Sequence, residues 1–407
     1  MLEGRGDVRL RYLVGAERVF GDSPGGAHRV AWRLAELARD AGHDVTLLAG
    51  STESDGPPGA KEIAGVGVVR YRFPRTWDLS PRRLSGHVNA VASAAAELSA
   101  RGDWDVVHAH GPIQAAGLYR VASVRARRVY TVHSSAVLEQ RINWRDAGLA
   151  GWVKLVFGTG VLRRLEREVL RKSHVVHVLS DYTQRTLQQV HGIQIASKAI
   201  KVPWWVNDAQ ARIEKSEARR RLKLPQGPKV LFSLRRMVPR MGLDLLIRAA
   251  EQIADAFDFV LVLAGDGPDR LKLESLASRE GLATRVRFLG RISDEQAAWA
   301  YDACDVFVLP TRALEGFGII ILEAFAHDRP VLGANVGSIP ELLSPVLPGW
   351  LFQANDVASL AARLAAYLSG ELTAPPAGEL ARYCSERFGK AKVSREYLSL
   401  LFSPMRP

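Results

Sequence analysis

Short apolar runs rich in Val, Leu and Ile recur along the chain, separated by longer stretches whose apolar residues return at helical spacing. That alternation is the pattern of parallel βαβ units, in which a strand covered on both faces reads as an unbroken apolar run. The runs predict strands at 10–14, 45–49, 66–71, 106–108, 129–132, 175–179 and 200–202. A second set falls at 230–234, 260–263, 286–289, 306–309 and 331–333. Between the sets, "KVPWWVNDAQARIEKSEARRRLKLPQGPKV" shifts to a charged helical pattern closed by a Pro/Gly turn, which marks a domain boundary. The pattern predicts an α/β chain of two doubly wound sheets. Its 407 residues exceed what one hydrophobic core usually serves, which agrees.

The composition, 47% hydrophobic, is that of an ordinary globular protein. Two cysteines, Cys304 and Cys384, indicate neither a disulfide framework nor a zinc site, and fit a reducing cytoplasm. No apolar run reaches the roughly 18 to 20 residues that span a bilayer, and "MLEGRGDVRLRYLVG" lacks a signal-peptide core. The expectation is a cytoplasmic protein, soluble or peripheral at the inner face of the membrane.

The net charge of +12 is unevenly spread: residues 1–204 hold 29 Lys and Arg against 19 Asp and Glu, the remainder 26 against 24. Arginines cluster at Arg70, Arg72, Arg75, Arg82 and Arg83, at Arg125, Arg127 and Arg128, and at Arg163, Arg164, Arg167 and Arg171 with Lys172. Such a field suits an anionic partner such as a lipid headgroup or a phosphorylated acceptor, and equally suits a solvated surface. Nucleic acid is a poor fit, because no recognised motif or aromatic platform accompanies the charge. The stretch "INWRDAGLAGWVKLVFGTGVLRRLEREVLRK" sets Trp144, Trp152 and Phe157 beside a basic end, and reads both as an interfacial segment and as a packed helix.

Ligands of open parallel sheets bind beyond the carboxyl ends of the strands, so the loops there carry the chemistry. In "EGFGIIILEAF", 315–325, a helix starting near Ile319 is apolar on nearly every side yet contains Glu323. A buried carboxylate needs a partner, either a protein cation or a ligand diol such as a ribose. Gly316 and Gly318 permit close backbone approach, the helix-end amides suit an anion, and Glu315 sits on the loop, able to reach another part of the same ligand. The loop "LRRMVPRMG", 234–242, carries three arginines and no acid, a surplus suited to phosphate.

These segments resemble the retaining, GT-B-fold nucleotide-sugar glycosyltransferases of glycosyltransferase family 4. The resemblance rests on "EGFGIIILE", which fits an E-x7-E pattern, and runs through "GGAH" at 25–28, "DVVHAHG" at 105–111, "TVHSS" at 131–135, "VLSDYT" at 178–183, "RRMVPRMG" at 235–242, "AGDGP" at 264–268 and "VGSIPEL" at 336–342. It implies GT-B architecture, two doubly wound Rossmann-like domains facing across a cleft. Residues 1–204 would form the acceptor side and 205–384 the donor domain, with a C-terminal helix, 385–407, packing back on the first. Glu323 would hold the ribose hydroxyls; Glu315 and the backbone of Phe317, Gly318 and Ile319 would meet the donor sugar and phosphate. The backbone around Arg291 and Ile292 would read the base, Arg236 would bind the diphosphate with help from Gly25 and Gly26, and His133 would lie beside the transferred sugar. The resemblance implies catalysis without a metal or other cofactor: arginines and helix-end amides stabilise the departing diphosphate, which takes the acceptor's proton on the same face, so that configuration is retained. The partners implied are a nucleotide-sugar donor and a sugar, lipid-linked or small-molecule acceptor; the charge of the first domain separately suits an anionic membrane surface.

Other readings stay open. "DWD" at 103–105 has the Asp-x-Asp form of metal-dependent transferases but precedes its strand; "HAH" at 108–110 with His133 suggests a metal hydrolase, although Asp181, the nearest further ligand, reads as a helix cap. An epimerase, a pseudo-glycosyltransferase or a catalytically silent sugar-nucleotide-binding subunit shares the nucleotide site without the transfer chemistry. Four departures from the family pattern stand out. Trp204 and Trp205 replace a Pro-Asn-Gly turn, Ser338 replaces the second glycine of a Gly-Gly turn, Asp328 stands where glycine is common, and Met241 takes the place of a diphosphate-binding lysine. A nearby guanidinium, Arg240 or Arg235, is expected to supply the charge that Met241 lacks.

Overall fold

A computed structural model describes residues 9–20, 25–51, 58–72, 81–145, 158–192, 194, 197–206 and 212–403, with side chains omitted at 81–82 and 143–145. Trp152 and Phe157, and the side chain of Trp144, lie outside the described residues. The chain divides into two compact units: Met1–Pro203 with Ser394–Pro407, and Trp204–Val393.

The sheet of the first unit has eight strands: β1 (Arg11–Ala16), β2 (Asp44–Ser51), β3 (Gly59–Ile63), β4 (Val66–Arg72), β5 (Val106–Ala109), β6 (Arg127–Val132), β7 (Val175–Val178) and β8 (Ala199–Lys201), in the order β3-β4-β2-β1-β5-β6-β7-β8. The pairs are parallel except β3 with β4. β3, exposed except at Ile63 and without an apolar run, is a strand only because a turn at Ala64 and Gly65 folds it back on β4. The second unit holds β9 (Lys229–Leu234), β10 (Phe259–Ala264), β11 (Val286–Gly290), β12 (Val306–Leu309), β13 (Val331–Ala334) and β14 (Leu351–Phe352), all parallel, in the order β11-β10-β9-β12-β13-β14. β14, two residues long, left no pattern to read.

In each sheet the strand order reverses once, between β1 and β5 in the first unit and between β9 and β12 in the second. The loops leaving those strands splay apart there and open a crevice. The opposite ends are tied down. Asp305, just before β12, accepts from the Val230 amide (2.7 Å) and pairs with Arg219 (2.7 Å) and Lys215 (2.8 Å). Asp105 of "DWD" accepts from the Arg11 amide at 2.8 Å, and Trp104 is buried; the motif stitches the entry ends of β1 and β5, away from the crevice.

Two helices close the chain. Glu379–Phe388 ends at Gly389, and Lys390–Phe402 follows. From the second, Phe402 packs edge-on to Tyr12 at 5.4 Å, Tyr397 donates to the Val202 carbonyl at 3.3 Å, and Arg127 donates to the carbonyls of Leu400 (2.9 Å) and Ser403 (2.6 Å). A cation on the last carbonyls of a helix is favourably placed against its dipole.

Candidate active site

In the second unit, four loops converge where β9 and β12 diverge. Gly242, with φ +69°, closes the 3-10 turn Pro239–Met241 and opens the helix Leu243–Ile253. A Cβ there would stand 1.9 Å from the Pro310 carbonyl oxygen, so only glycine lets the β9 and β12 loops touch. The backbone of Arg235 and Met237 bonds to Ala264, Asp266 and Asp269 of the β10 loop at 2.9 to 3.1 Å.

Onto this frame the side chains are set. Arg235 turns inward and its Nη2 pairs with Glu315 Oε2 at 2.7 Å. Arg236 is exposed, and its side chain has no hydrogen-bond or ion-pair partner among the described residues. Arg240 donates to the Leu314 carbonyl at 3.0 Å. Gly318, at φ +87°, caps the helix Ile319–Ala326 without any side-chain cap; the Ile321 amide bonds to the Gly318 carbonyl at 2.9 Å, which leaves the amides of Ile319 and Ile320 for another acceptor. Phe317 and Gly318 are buried, and Ile319 is half-buried. Glu323 is half-buried as well: positions 319, 320, 323 and 326 share the accessible face of that helix, so the all-apolar reading overstated its enclosure. The hydroxyl of Tyr301 donates to Glu323 Oε2 at 3.0 Å. Arg291, exposed, and Ile292 follow β11, with Arg291 4.0 Å from Asp266 of the β10 loop.

In the first unit, Gly25 and Gly26 are exposed at the start of the helix Gly26–Asp40 that follows β1, and His133 follows β6. His133 Nε2 lies 3.0 Å from His110 Nδ1. Beside them runs a buried chain of hydrogen bonds across four strands, from Tyr12 Oη to His108 Nδ1 (2.6 Å), His108 Nε2 to Thr131 Oγ1 (2.6 Å), Thr131 Oγ1 to His177 Nδ1 (2.9 Å) and His177 Nε2 to the Val202 carbonyl (2.9 Å). The carbonyl can only accept, which fixes every proton: His177 donates from Nε2, Thr131 donates to His177, His108 donates to Thr131, and Tyr12 donates to His108. Both rings are neutral in this arrangement. Burial pushes His177 down to about 4, and burial with the neighbouring histidines holds His108 and His110 well below the usual range. Burial, reinforced by His177 and His28, pushes His133 down to about 3. Of the "HAH" imidazoles, His108 thus bonds to two hydroxyls and His110 to His133. Among the described residues no cluster of three or more His, Cys, Asp or Glu is placed to hold a metal.

Comparison with known proteins decides the family. The model of Glycosyltransferase Family 4 matches residues 24–203 and that of Glycosyl transferases group 1 matches 214–388. The chain belongs to glycosyltransferase family 4.

The transferase is 29% identical over 353 residues to the phosphatidyl-myo-inositol mannosyltransferase of Mycobacterium leprae, covering 86% of each chain. It is 31% identical over 229 residues to a GDP-mannose-dependent alpha-(1-6)-phosphatidylinositol monomannoside mannosyltransferase of Mycobacterium tuberculosis, covering 54% of this chain and 57% of that one. Its fold matches sucrose-phosphate synthase from Thermosynechococcus elongatus with a TM-score of 0.82 at 22% identity, over 96% of this chain and 98% of that one. The architecture is GT-B, two Rossmann-like α/β domains, and the activity class is hexosyl transfer from a nucleotide sugar.

The transferase's departures from its family now have physical accounts. Ser338 donates both its amide and its hydroxyl to the Glu315 carbonyl, each at 3.0 Å, so the substitution anchors the Glu315 loop. Asp328 adopts φ +58°, which aspartate tolerates better than most residues, and accepts from the amides of Gly378 (2.6 Å) and Ala381 (3.4 Å) at the start of the helix Glu379–Phe388. Trp204 and Trp205 are buried and stacked on each other at 4.0 Å. Asp181 is not a cap: Ser180 caps the helix Asp181–His191, and Asp181 pairs with Lys201 at 2.7 Å. Sequence reasoning missed Tyr301, which reaches Glu323 from the helix Asp294–Ala303, twenty-two positions upstream. His110 and His133 were brought together only in the metal-hydrolase reading; in the structure they bond to each other at 3.0 Å.

Proposed function

We propose that the transferase moves mannose from GDP-mannose to a hydroxyl of an inositol phospholipid, with retention of configuration and without a metal. The observation that carries this reading is the set of groups around the β9–β12 crevice. A paired Arg235–Glu315, the exposed Arg236 and the uncapped helix start at Gly318 offer positive potential for a diphosphate, and Glu323, oriented by Tyr301, offers a carboxylate for a ribose diol. In this reading Glu323 takes the ribose; Glu315 and the backbone of Phe317, Gly318 and Ile319 take the sugar and phosphate; Arg236 and Arg240 grip the diphosphate, with Gly25 and Gly26 assisting. In the same reading Arg291 and Ile292 are assigned to the base, and His133 to the transferred sugar.

The mannosyl donor and inositol lipid are favoured by the mycobacterial relative that matches over 86% of both chains. A lipid acceptor also suits the helix Thr159–Lys172, whose exposed face carries Arg163, Arg164, Arg167, Arg171 and Lys172, cations that would meet anionic headgroups at the inner leaflet. No described helix is long and apolar enough to cross a membrane.

The test is transfer of labelled mannose from GDP-mannose to phosphatidylinositol vesicles, with UDP-glucose and UDP-galactose run beside it. A mannosylated inositol lipid with an α linkage is the expected product. Transfer from the UDP sugars alone would move the proposal to another donor, and epimerised donor with no transferred sugar would sink it.

A further inference from the structure

His110 and His133 follow β5 and β6 in the first unit, and each is held from behind. The His110 amide donates to the Gly15 carbonyl of β1 at 2.9 Å. After His133, the Ser134 hydroxyl donates to Glu139 Oε2 at 3.0 Å and the Glu139 amide to the Ser135 carbonyl at 3.0 Å, which closes the turn onto the helix Ala136–Arg145. The step from His110 to His133 spans 23 positions, as does the step from His108 to Thr131. The pair is thus a second rung beside the buried chain, two residues further toward the crevice.

The two rings meet edge to edge. Nδ1 of His110 lies 3.0 Å from Nε2 of His133, with the ring centroids 5.2 Å apart and the planes 25° from coplanar. That separation matches the nitrogen contact plus the two ring radii, so the contact lies along both ring planes, where an N–H and a lone pair point.

Burial keeps both rings neutral, so each has one N–H to give and the bond between them carries one proton. Two arrangements satisfy that. If His133 donates from Nε2, His110 must carry its own proton on Nε2, which is buried and has no hydrogen-bond partner among the described residues. If His110 donates from Nδ1, that buried Nε2 holds a lone pair, and His133, its Nε2 filled, carries its proton on Nδ1. Among buried backbone groups an N–H without an acceptor is rarer than an unfilled acceptor, and the same asymmetry favours the second arrangement. His133 is half-buried, and its Nδ1 has no hydrogen-bond partner among the described residues.

We propose that His110 is a positioning residue for His133. It donates from Nδ1 to His133 Nε2, fixes the Nδ1–H tautomer of that ring, and leaves the Nδ1–H as a donor to a hydroxyl of the transferred sugar. The assignment rests on the reading above that places His133 at that sugar.

The experiment records two-bond proton–nitrogen correlations of the full chain with isotope-labelled histidine at neutral pH, the two rings being assigned by their loss in His110→Asn and His133→Ala. The expected result is His133 protonated on Nδ1. Transfer from GDP-mannose to phosphatidylinositol vesicles is then compared in His110→Leu, His110→Asn, His133→Ala and the pair His110→Leu with His133→Ala. His110→Leu removes the donor and is expected to lower kcat about tenfold, with unchanged affinity for GDP in calorimetry. His110→Asn, whose amide nitrogen falls near the place of Nδ1, is expected to recover about half of that loss or more on a logarithmic scale. In the His133→Ala background, His110→Leu is expected to change kcat less than about twofold, because the two act as a unit. His133 protonated on Nε2 overturns the proposal, as does a His110→Leu that costs as much without His133 as with it. Should His110→Leu fail to fold, the tautomer in the wild type decides alone. Failure of the underlying reading has its own signature: His133→Ala transfers as the wild type does, whatever the tautomer.

Discussion

At the scale of single residues, the Tyr301–Glu323 contact separates orientation from charge. A phenol donating to one carboxylate oxygen at 3.0 Å fixes the plane of the carboxyl group without neutralising it, so the group keeps its capacity to accept from a diol. Glu323→Gln is expected to raise KM for the donor sugar nucleotide about tenfold or more, since hydrogen bonds to a charged group are worth roughly 1.5–3 kcal/mol. Tyr301→Phe is expected to raise it by a smaller factor of about three to ten, for a lost orienting bond of roughly 1 kcal/mol. Steady-state kinetics with saturating acceptor reads both, and equal KM values in the three proteins would remove Glu323 from the donor site. Glu323 and Glu315 were visible in the sequence because a carboxylate in an apolar stretch, or beside a Gly-x-Gly turn, demands explanation. Tyr301 was not, because its role depends on the crossing of two helices that no local pattern encodes. Ser338 and Asp328 were visible only as departures. What each does, a second bond to the Glu315 carbonyl and a cap on a helix fifty positions away, follows from contacts that bring distant segments together.

Elements divide the labour between the two ends of the second sheet. The crevice end carries loops joined by glycine contacts, while the entry end carries buried charge. Asp305 is buried among Arg219, Lys215 and the Val230 amide, and the same Arg219 also donates to the carbonyls of Ala303, Gln226 and Pro228. Removing the carboxylate strands a buried guanidinium, so Asp305→Ala is expected to destabilise the second unit by about 3–5 kcal/mol. Denaturant unfolding measures the loss; a change under about 1 kcal/mol would show that the cluster is ornamental to stability. The long core strands were legible because parallel strands covered on both faces read as apolar runs. β3 and β14 were not, one being an exposed edge strand and the other two residues long. The break at Gly389, which turns one expected C-terminal helix into two, was likewise silent in the pattern.

For the whole molecule, the histidine chain of the first unit sets a pH response. His108 and His177 are fully buried and neutral, and both sit below their unfolded values, His177 at about 4. A group whose folded value is depressed in this way binds protons in the unfolded chain first. Stability is therefore full above about pH 6.5 and is lost as pH falls from there toward 4, at up to about 1.4 kcal/mol per pH unit for each histidine. Urea unfolding of the intact protein between pH 7.5 and 4.5 is expected to show this decline, and His177→Gln to flatten it; a pH-independent midpoint would contradict the neutral chain.

The return of Ser394–Pro407 to the first unit has a consequence for synthesis. The side chains of Tyr12 on β1 and His177 on β7 are made before the second unit, while Phe402 and Tyr397, which pack on them, follow only after its roughly 190 residues. At ribosomal speeds of about 5–20 residues per second the wait is about 10 to 40 seconds. During it Tyr12 and the histidine chain face water or a chaperone, so the earlier of the two units to be translated is sealed after the later one.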